Sequence, residues 1–298
     1  MAAETVRAGI DIGGTKVAIG LVDNQHKLVS DISRFQIDAY DSGDSLVKKI
    51  VGEVEELCAN ETQEDLMLSG IGLGSPGPLD LKTGTVLNTP NIPMLRDYPL
   101  LDSVKNVSGK TAAVNNDANC FALGEALAGE ARKRKFIVGV TLGTGFGCGI
   151  ILNKEIYVGA TGTAAEIAHC PYEGRYLEDF ISGRGLSRMY TERTGVKAKG
   201  SEIALRADSG DSEALDALKE FGAHLGRAFA YFVNLLDPDY IVAGGSNSKD
   251  WQFFSDSMHE TLNKYINDRP RTHLQVVPSQ LGESASIIGA AGLIPVER

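Results

Sequence analysis

Three glycine-rich segments carry the residues best suited to hold an anion. Asp11-Ile12-Gly13-Gly14-Thr15-Lys16 sets a carboxylate and a hydroxyl beside two glycines, and Gly143-Thr144-Gly145 and Gly244-Gly245-Ser246 follow later in the chain. Glycine lets the backbone take positive φ and approach a ligand closely, and successive N–H groups in such a turn form a nest for phosphate oxygens. Asp11 adds a carboxylate that can hold Mg2+ through water. Neither of the first two is a P-loop, because GxxxxGK[ST] is absent, and neither is a dinucleotide-binding turn, because no helical pattern follows within the unit. A plain hairpin turn also needs glycine, and for one such turn taken alone that reading is the stronger. Asp11 and Thr15 flanking the first glycines, with a second loop of the same kind, favour phosphate binding. The third segment follows a strand and can open a helix whose N-terminus suits an anion or an adenosine. An ordinary strand-to-helix turn explains it equally well.

Two polar groups stand out besides these loops. Asn115-Asn116-Asp117 closes a short apolar stretch. A carboxylate at a strand end can accept a hydroxyl proton. Asn and Asp are also good helix N-caps, and capping and proton transfer can coexist. Glu166 and His169 lie three residues apart. Both side chains suit paired hydroxyl groups, and both would equally suit a solvated helix face.

The elements that must position these residues alternate between strand-like and helix-like. Residues 6–12 and 17–22 are apolar and β-branched around glycines and predict a hairpin, with 27–35 as a third strand. Residues 44–58 place Leu46, Ile50, Val54 and Leu57 at helical spacing. Residues 70–74 predict a short buried strand. Ala112 to Val114 predicts another, followed by a small-residue helix to about Gly129. Strands are expected at 136–142, 147–152 and 240–243. Residues 212–236 predict a long amphipathic helix stopped by Asp237-Pro238. The segment 9–23 can be laid on 139–153 without a gap, matching Gly9 with Gly139 and Gly13 with Gly143. This faint repeat suggests two domains of related topology, each opened by a strand–loop–strand unit, with a cleft between them.

Composition bounds the class. A chain of 298 residues with 43% hydrophobic and 23% charged residues is globular and long enough for two domains. The net charge of −10, without a Lys/Arg block, argues against a general nucleic-acid partner. Cys58, Cys120, Cys148 and Cys170 are scattered and form no CxxC pair, which predicts free thiols in a reducing compartment. No run is apolar enough for a membrane helix. Residues 1–7 carry no apolar signal region, so a cytoplasmic protein is expected.

The combination of motifs resembles the ROK family (repressors, open reading frames and kinases). Asp11-Ile-Gly-Gly-Thr-Lys16, Thr89-Pro-Asn-Ile-Pro93, Asn116-Asp-Ala-Asn119, Leu142-Gly-Thr-Gly145 and Glu166-Ile-Ala-His169 occur in the family's order across essentially the whole chain. The resemblance implies the α/β, two-domain actin/hexokinase-like (ribonuclease H-like) fold. Residues 1–117 with 287–298 would form the smaller domain and 118–286 the larger. The closest likeness is to the family's sugar kinases, which implies transfer of phosphate from ATP, with Mg2+, to a hexose hydroxyl, expected to be the 6-OH. Asp117 would be the catalytic base. Gly77, Asn91, Asn116, Glu166, His169 and Glu178 would contact the sugar. Thr15, Gly13, Gly14 and Gly143 to Gly145 would contact ATP phosphates, with Asp11, Lys16, Gly244 and Gly245 completing the nucleotide site. A homodimer is expected, with no nucleic-acid and no membrane partner.

Departures from the pattern bear on the substrate. The family's kinases carry a longer, cysteine-rich loop after the histidine that holds a structural zinc. Here Cys170-Pro-Tyr-Glu-Gly-Arg-Tyr-Leu177 is short and has one thiol, so no zinc is expected. Ala165 and Ala168 replace two glycines. Glucose leads as substrate. N-acetylglucosamine is the runner-up, on Asn115–Leu123 and Ile181–Leu186, and N-acetylmannosamine, mannose, fructose and allose stay open. A sugar-responsive regulator of the same family would need a helix-turn-helix ahead of Asp11, where ten residues leave no room. A catalytically dead sugar-binding protein is disfavoured by Asp117 and the two phosphate loops.

Overall fold

The computed structural model describes residues 5–60 and 66–296. The start of the N-terminal segment inspected for a signal, residues 1–4, lies outside them, as do the last two residues of the 287–298 segment. The strands are β1 (Thr5–Ile12), β2 (Lys16–Val22), β3 (Ser33–Gln36), β4 (Met67–Ser75), β5 (Leu79–Asp80), β6 (Thr85–Val86), β7 (Thr111–Asn116), β8 (Phe136–Leu142), β9 (Phe146–Leu152), β10 (Glu155–Ile156), β11 (Pro171–Tyr172), β12 (Arg175–Tyr176), β13 (Tyr240–Gly244) and β14 (Gln275–Pro278). The α-helices are α1 (Gly43–Asn60), α2 (Leu100–Ser108), α3 (Asp117–Leu127), α4 (Glu178–Ile181), α5 (Gly183–Thr194), α6 (Gly200–Asp208), α7 (Ser212–Leu236), α8 (Trp251–Tyr265), α9 (Asp268–Arg271) and α10 (Ser284–Ala291).

Two five-stranded sheets dominate, ordered β3-β2-β1-β4-β7 and β10-β9-β8-β13-β14. In the first, β1 and β2 pair antiparallel from Arg7–Val22 to Ile12–Val17, and β4 and β7 add in parallel. In the second, β13 runs parallel to both β8 and β14. The orders correspond strand for strand, so the hairpins aligned in the 9–23 and 139–153 repeat hold equivalent positions. The chain divides into two compact units, residues 1–133 with 149–164 and 283–298, and residues 134–148 with 165–282.

In the first unit β1 alternates by the two-residue period of a pleated strand. Val6, Ala8, Ile10 and Ile12 are buried in a core with Leu46, Ile50 and Val54 of α1. The opposite face of the sheet meets α10 at very short range. A Cβ on Gly72 would lie 1.7 Å from the Ala290 carbonyl oxygen, and one on Gly289 would lie 1.7 Å from that of Cys120 in α3. Only glycine permits this approach of helix to strand and of helix to helix. Arg7, 1% exposed, donates from its guanidinium to the carbonyls of Asp23 and Ile294 and ties the first strand to the C-terminal segment.

The second unit buries Val138 and Val140 of β8 against Phe221, Leu225 and Phe229 of α7 and Phe254 and Met258 of α8. The long helix expected at 212–236 forms over those residues and ends on Asp237 in the left-handed region, at φ 49°. One expectation is corrected. The third strand, expected over 27–35, is continuous only over Ser33–Gln36, with one further antiparallel bridge to β2 between Val22 and Leu28. Between the two the Leu21 N–H bonds Ser30 Oγ, so a side-chain oxygen takes a donor that a longer ladder would need.

Candidate active site

The first unit holds one group of the predicted residues. Asp11 lies near the end of β1, and the hairpin turn is closed by the Gly13 N–H donating to the Lys16 carbonyl at 2.9 Å. Burial of the Asp11 carboxyl, then the negative charges of Asp117 and Glu283, push its pKa up to about 7, against the opposing pull of Lys16. Lys16 pairs with Glu283, whose other oxygen accepts from Arg34 Nε at 2.8 Å.

The Asn115–Asn119 segment divides the labour that the sequence left open. Asn116 is the N-cap of α3, its Oδ1 accepting from the N–H groups of Ala118 at 3.0 Å and Asn119 at 3.3 Å. Asn115 Oδ1 accepts from Asn119 Nδ2 at 2.9 Å and locks the strand end to the first turn. Asp117 is the first helical residue, with Oδ1 accepting from the Ala118 N–H at 2.9 Å. A helix N-terminus favours the charged carboxylate. Gly77 borders Asn116, with 3.5 Å between an added Cβ and Nδ2, and Gly14 borders Asn91 at the same separation from its Cβ. The exposed Asn91 sits in a turn held by Thr89 Oγ1 donating to the Ile92 carbonyl at 3.0 Å.

The second unit holds the other group. The Gly143–Gly145 loop is pinned at its first carbonyl, which accepts from the Gly183 N–H at 2.9 Å and Asn247 Nδ2 at 3.0 Å. Glu178 leans on the same loop: Oε1 accepts from the Phe146 N–H at 3.1 Å and Oε2 from Arg184 Nη2 at 2.8 Å. A carboxylate has about four lone-pair sites, so further donors can still be accepted. Glu166 is the N-cap and His169 the last residue of the 3₁₀ turn Ile167–His169, with Oε2 and Nδ1 3.6 Å apart and side chains 53% and 75% exposed. Ala165 has φ +70°, a value that favours glycine, whereas Ala168 is buried.

At the third glycine segment a 3₁₀ turn, Ser246–Asp250, opens with Gly245 as its N-cap and runs directly into α8. Gly245 has φ 88°, and a Cβ there would lie 2.6 Å from the Leu142 carbonyl oxygen, so backbone geometry and packing already demand glycine.

Glu283, Arg184 and Asn247 escaped the sequence reading. Glu283 immediately precedes α10, and Asn247 follows the third glycine turn, where a polar residue beside glycines is the only local signal. Among the described residues no three His, Cys, Asp or Glu side chains gather closely enough to hold a metal, and no helix is long and apolar enough to cross a membrane. The cysteines are free, with Cys120 buried and Cys170 exposed.

Comparison with known proteins adds to this geometry. The family model described as "ROK family" matches residues 7–297. Over 313 residues the chain is 29% identical to a glucokinase of Thermotoga maritima, covering 96% of each. It is 29% identical over 307 residues to an N-acetyl-D-glucosamine kinase of Vibrio cholerae, covering 96% of this chain and 98% of the relative. Among solved structures, a ROK family glucokinase from Streptomyces griseus in complex with glucose and AMPPNP superposes with a TM-score of 0.81 at 30% identity, covering 97% of this chain and 98% of that one.

Proposed function

Because the chain belongs to the ROK family, we propose that it is an ATP-dependent hexose kinase that phosphorylates the sugar 6-hydroxyl with Asp117 as the base. The observation that supports this most is the division of roles at α3. Asn116 is the N-cap, and the Asp117 carboxylate, which shares the Ala118 N–H with it, stands in the first turn of α3 in the same unit as the Asp11–Lys16 turn.

Phosphoryl transfer to an alcohol needs alignment, charge neutralisation and an acceptor for the hydroxyl proton. Asp117 accepts that proton. Gly13, Gly14, Thr15, Lys16 and Gly143 to Gly145 bind the phosphates through N–H groups, a hydroxyl and an ammonium. Gly244 and Gly245 shape the adenosine end. Gly77, Asn91, Asn116, Glu166, His169 and Glu178 bind the sugar hydroxyls. Asp11 would hold Mg2+ through water, its carboxyl being held toward its neutral form in the absence of a cation by burial and by two like charges. A divalent cation nearby would restore its charge. The metal supplies charge neutralisation on the ATP phosphates.

Glucose is the leading substrate, and N-acetylglucosamine is second, since relatives bearing both names match at 29% identity. A non-catalytic regulator is disfavoured by Asp117 and the loops. Four free thiols fit the cytoplasm. A homodimer is proposed on the exposed Tyr231 and Leu235, one turn apart on α7. A coupled ADP-release assay against glucose, N-acetylglucosamine, N-acetylmannosamine, mannose, fructose and allose tests the reading. One sugar should raise ADP release far above the rate with water alone, and no increase with any of them would overturn it.

A further inference from the structure

The stretch between His169 and Glu178 is held from behind by a buried polar network that none of the roles above uses. Strands β11 and β12 form a tight hairpin through Glu173 and Gly174, at φ 47° and 79°. Its inward residue, Tyr172, is 8% exposed and sits on α7 beside His224, which is equally buried. Tyr172 Oη lies 2.8 Å from His224 Nδ1, and Arg227 Nη1 donates to the same Oη at 2.9 Å. Arg227 Nη1 also reaches Glu173 Oε1. Phe180, two residues past Glu178, closes the group, with its ring 4.9 Å from Tyr172 and 4.8 Å from His224. The Arg188 guanidinium lies over the Phe180 ring at 4.9 Å and donates to the Asp179 carbonyl at 3.1 Å.

Arginine has only donors, so Tyr172 Oη accepts from Arg227, and the arrangement that gives the Tyr172 hydroxyl proton an acceptor sends it to His224 Nδ1. His224 is then a neutral imidazole protonated at Nε2, the nitrogen 3.8 Å from Glu220 Oε1. Burial holds the His224 pKa below its usual range, in keeping with a neutral ring, although Glu173 and Glu220 pull the other way. In that arrangement the hydrogen bond runs from Tyr172 to His224. It fixes the hairpin on α7 by a specific acceptor, not by ring packing alone.

We propose that Tyr172, His224 and Arg227 are positioning residues for the hexose. They hold the hairpin so that Glu166 and His169 on its N-terminal side, and Glu178 on its C-terminal side, keep the spacing that sugar hydroxyls require. This rests on the sugar-binding role proposed for those three residues. The network reaches the phosphate loop only by way of Glu178 and its bond to the Phe146 N–H, whereas it flanks all three sugar-binding residues, so its loss should act more on the sugar than on the nucleotide.

Steady-state kinetics on the full chain test this, using the hexose that gives the highest kcat/KM with wild type. Tyr172→Phe keeps the ring and removes the hydroxyl. It should raise the hexose KM about tenfold, the scale of one buried hydrogen bond, with the MgATP KM within about twofold. His224→Asn puts an acceptor oxygen near the place of Nδ1 and should stay within about threefold of wild type. His224→Phe keeps an aromatic ring without the acceptor and should behave as Tyr172→Phe does. If packing alone mattered, the order would reverse, with Phe tolerated and Asn impaired, and that result overturns the proposal. A hexose KM unchanged in both Tyr172→Phe and His224→Phe, or equal rises in both KM values, also overturns it. Should Tyr172→Phe fail to fold, the two His224 variants decide. Failure of the kinase reading is separate: wild type would then phosphorylate no hexose, and the positioning role would fall with it.

Discussion

Asp11→Asn should make the nucleotide-free protein more stable at neutral pH while weakening its grip on MgATP. In the folded chain the Asp11 pKa is raised to about 7 by burial and by the charges of Asp117 and Glu283, from an ordinary value of 3.8. A carboxyl with a raised folded pKa contributes stability that is fully present below its unfolded pKa and lost as pH rises through the folded one. Between those limits the native state holds one extra proton, so stability falls by about 1.4 kcal/mol per pH unit. From pH 5 to 7 this amounts to about 2 kcal/mol, and above pH 8 the full loss approaches about 4 kcal/mol as an upper limit. Asparagine has nearly the same shape and no charge to bury. Urea unfolding at pH 5, 6, 7 and 8, without nucleotide or divalent metal, gives the wild-type-minus-variant difference in which other titrations cancel. That difference should grow steadily in favour of Asp11→Asn as pH rises. Curves that stay parallel within about 0.5 kcal/mol across this range would refute the buried-carboxylate reasoning.

Asp117→Asn, nearly isosteric, should lower kcat by ~10²–10⁴ with the hexose KM within a few-fold, as loss of a general base does; activity within threefold of wild type would remove Asp117 from the role. Glycine at Ala165 and at Ala168 should have different effects in thermal unfolding. Ala165→Gly relieves a left-handed residue at φ +70° and should leave Tm unchanged or slightly raised. Ala168→Gly empties a buried methyl site and should cost about 1–2 kcal/mol. Equal losses at both would show that Ala165 is not strained. Elemental analysis of protein purified without chelators should find no stoichiometric zinc, because the segment after His169 offers one thiolate, Cys170; one zinc per chain would show that other residues complete a site.

What the sequence determined by itself is local and periodic. The helix over 212–236 announces itself through apolar residues every three to four positions, and its end through Asp237-Pro238. The two hairpins announce themselves through β-branched runs broken by glycine, and their repeat anticipated the matching strand orders of the two sheets. Asn116 and Asp117 could be singled out from residue type at a strand end, although which of them is the N-cap of α3 needed the coordinates. The rest depends on residues far apart in the chain. Lys16 meets Glu283 across 267 positions, and Tyr172 meets His224 across 52. Gly72 and Gly289 look like ordinary glycines until α10 is laid against β4 and α3, where a single Cβ would strike a carbonyl oxygen. Hydrophobic periodicity specifies which face of an element turns inward, but not which partner it finds there. Only the tertiary structure could decide that Asp11 sits among negative charges and that the hairpin after His169 is held by a tyrosine on a buried histidine, because burial and Coulomb energy depend on distances that the order of residues does not contain.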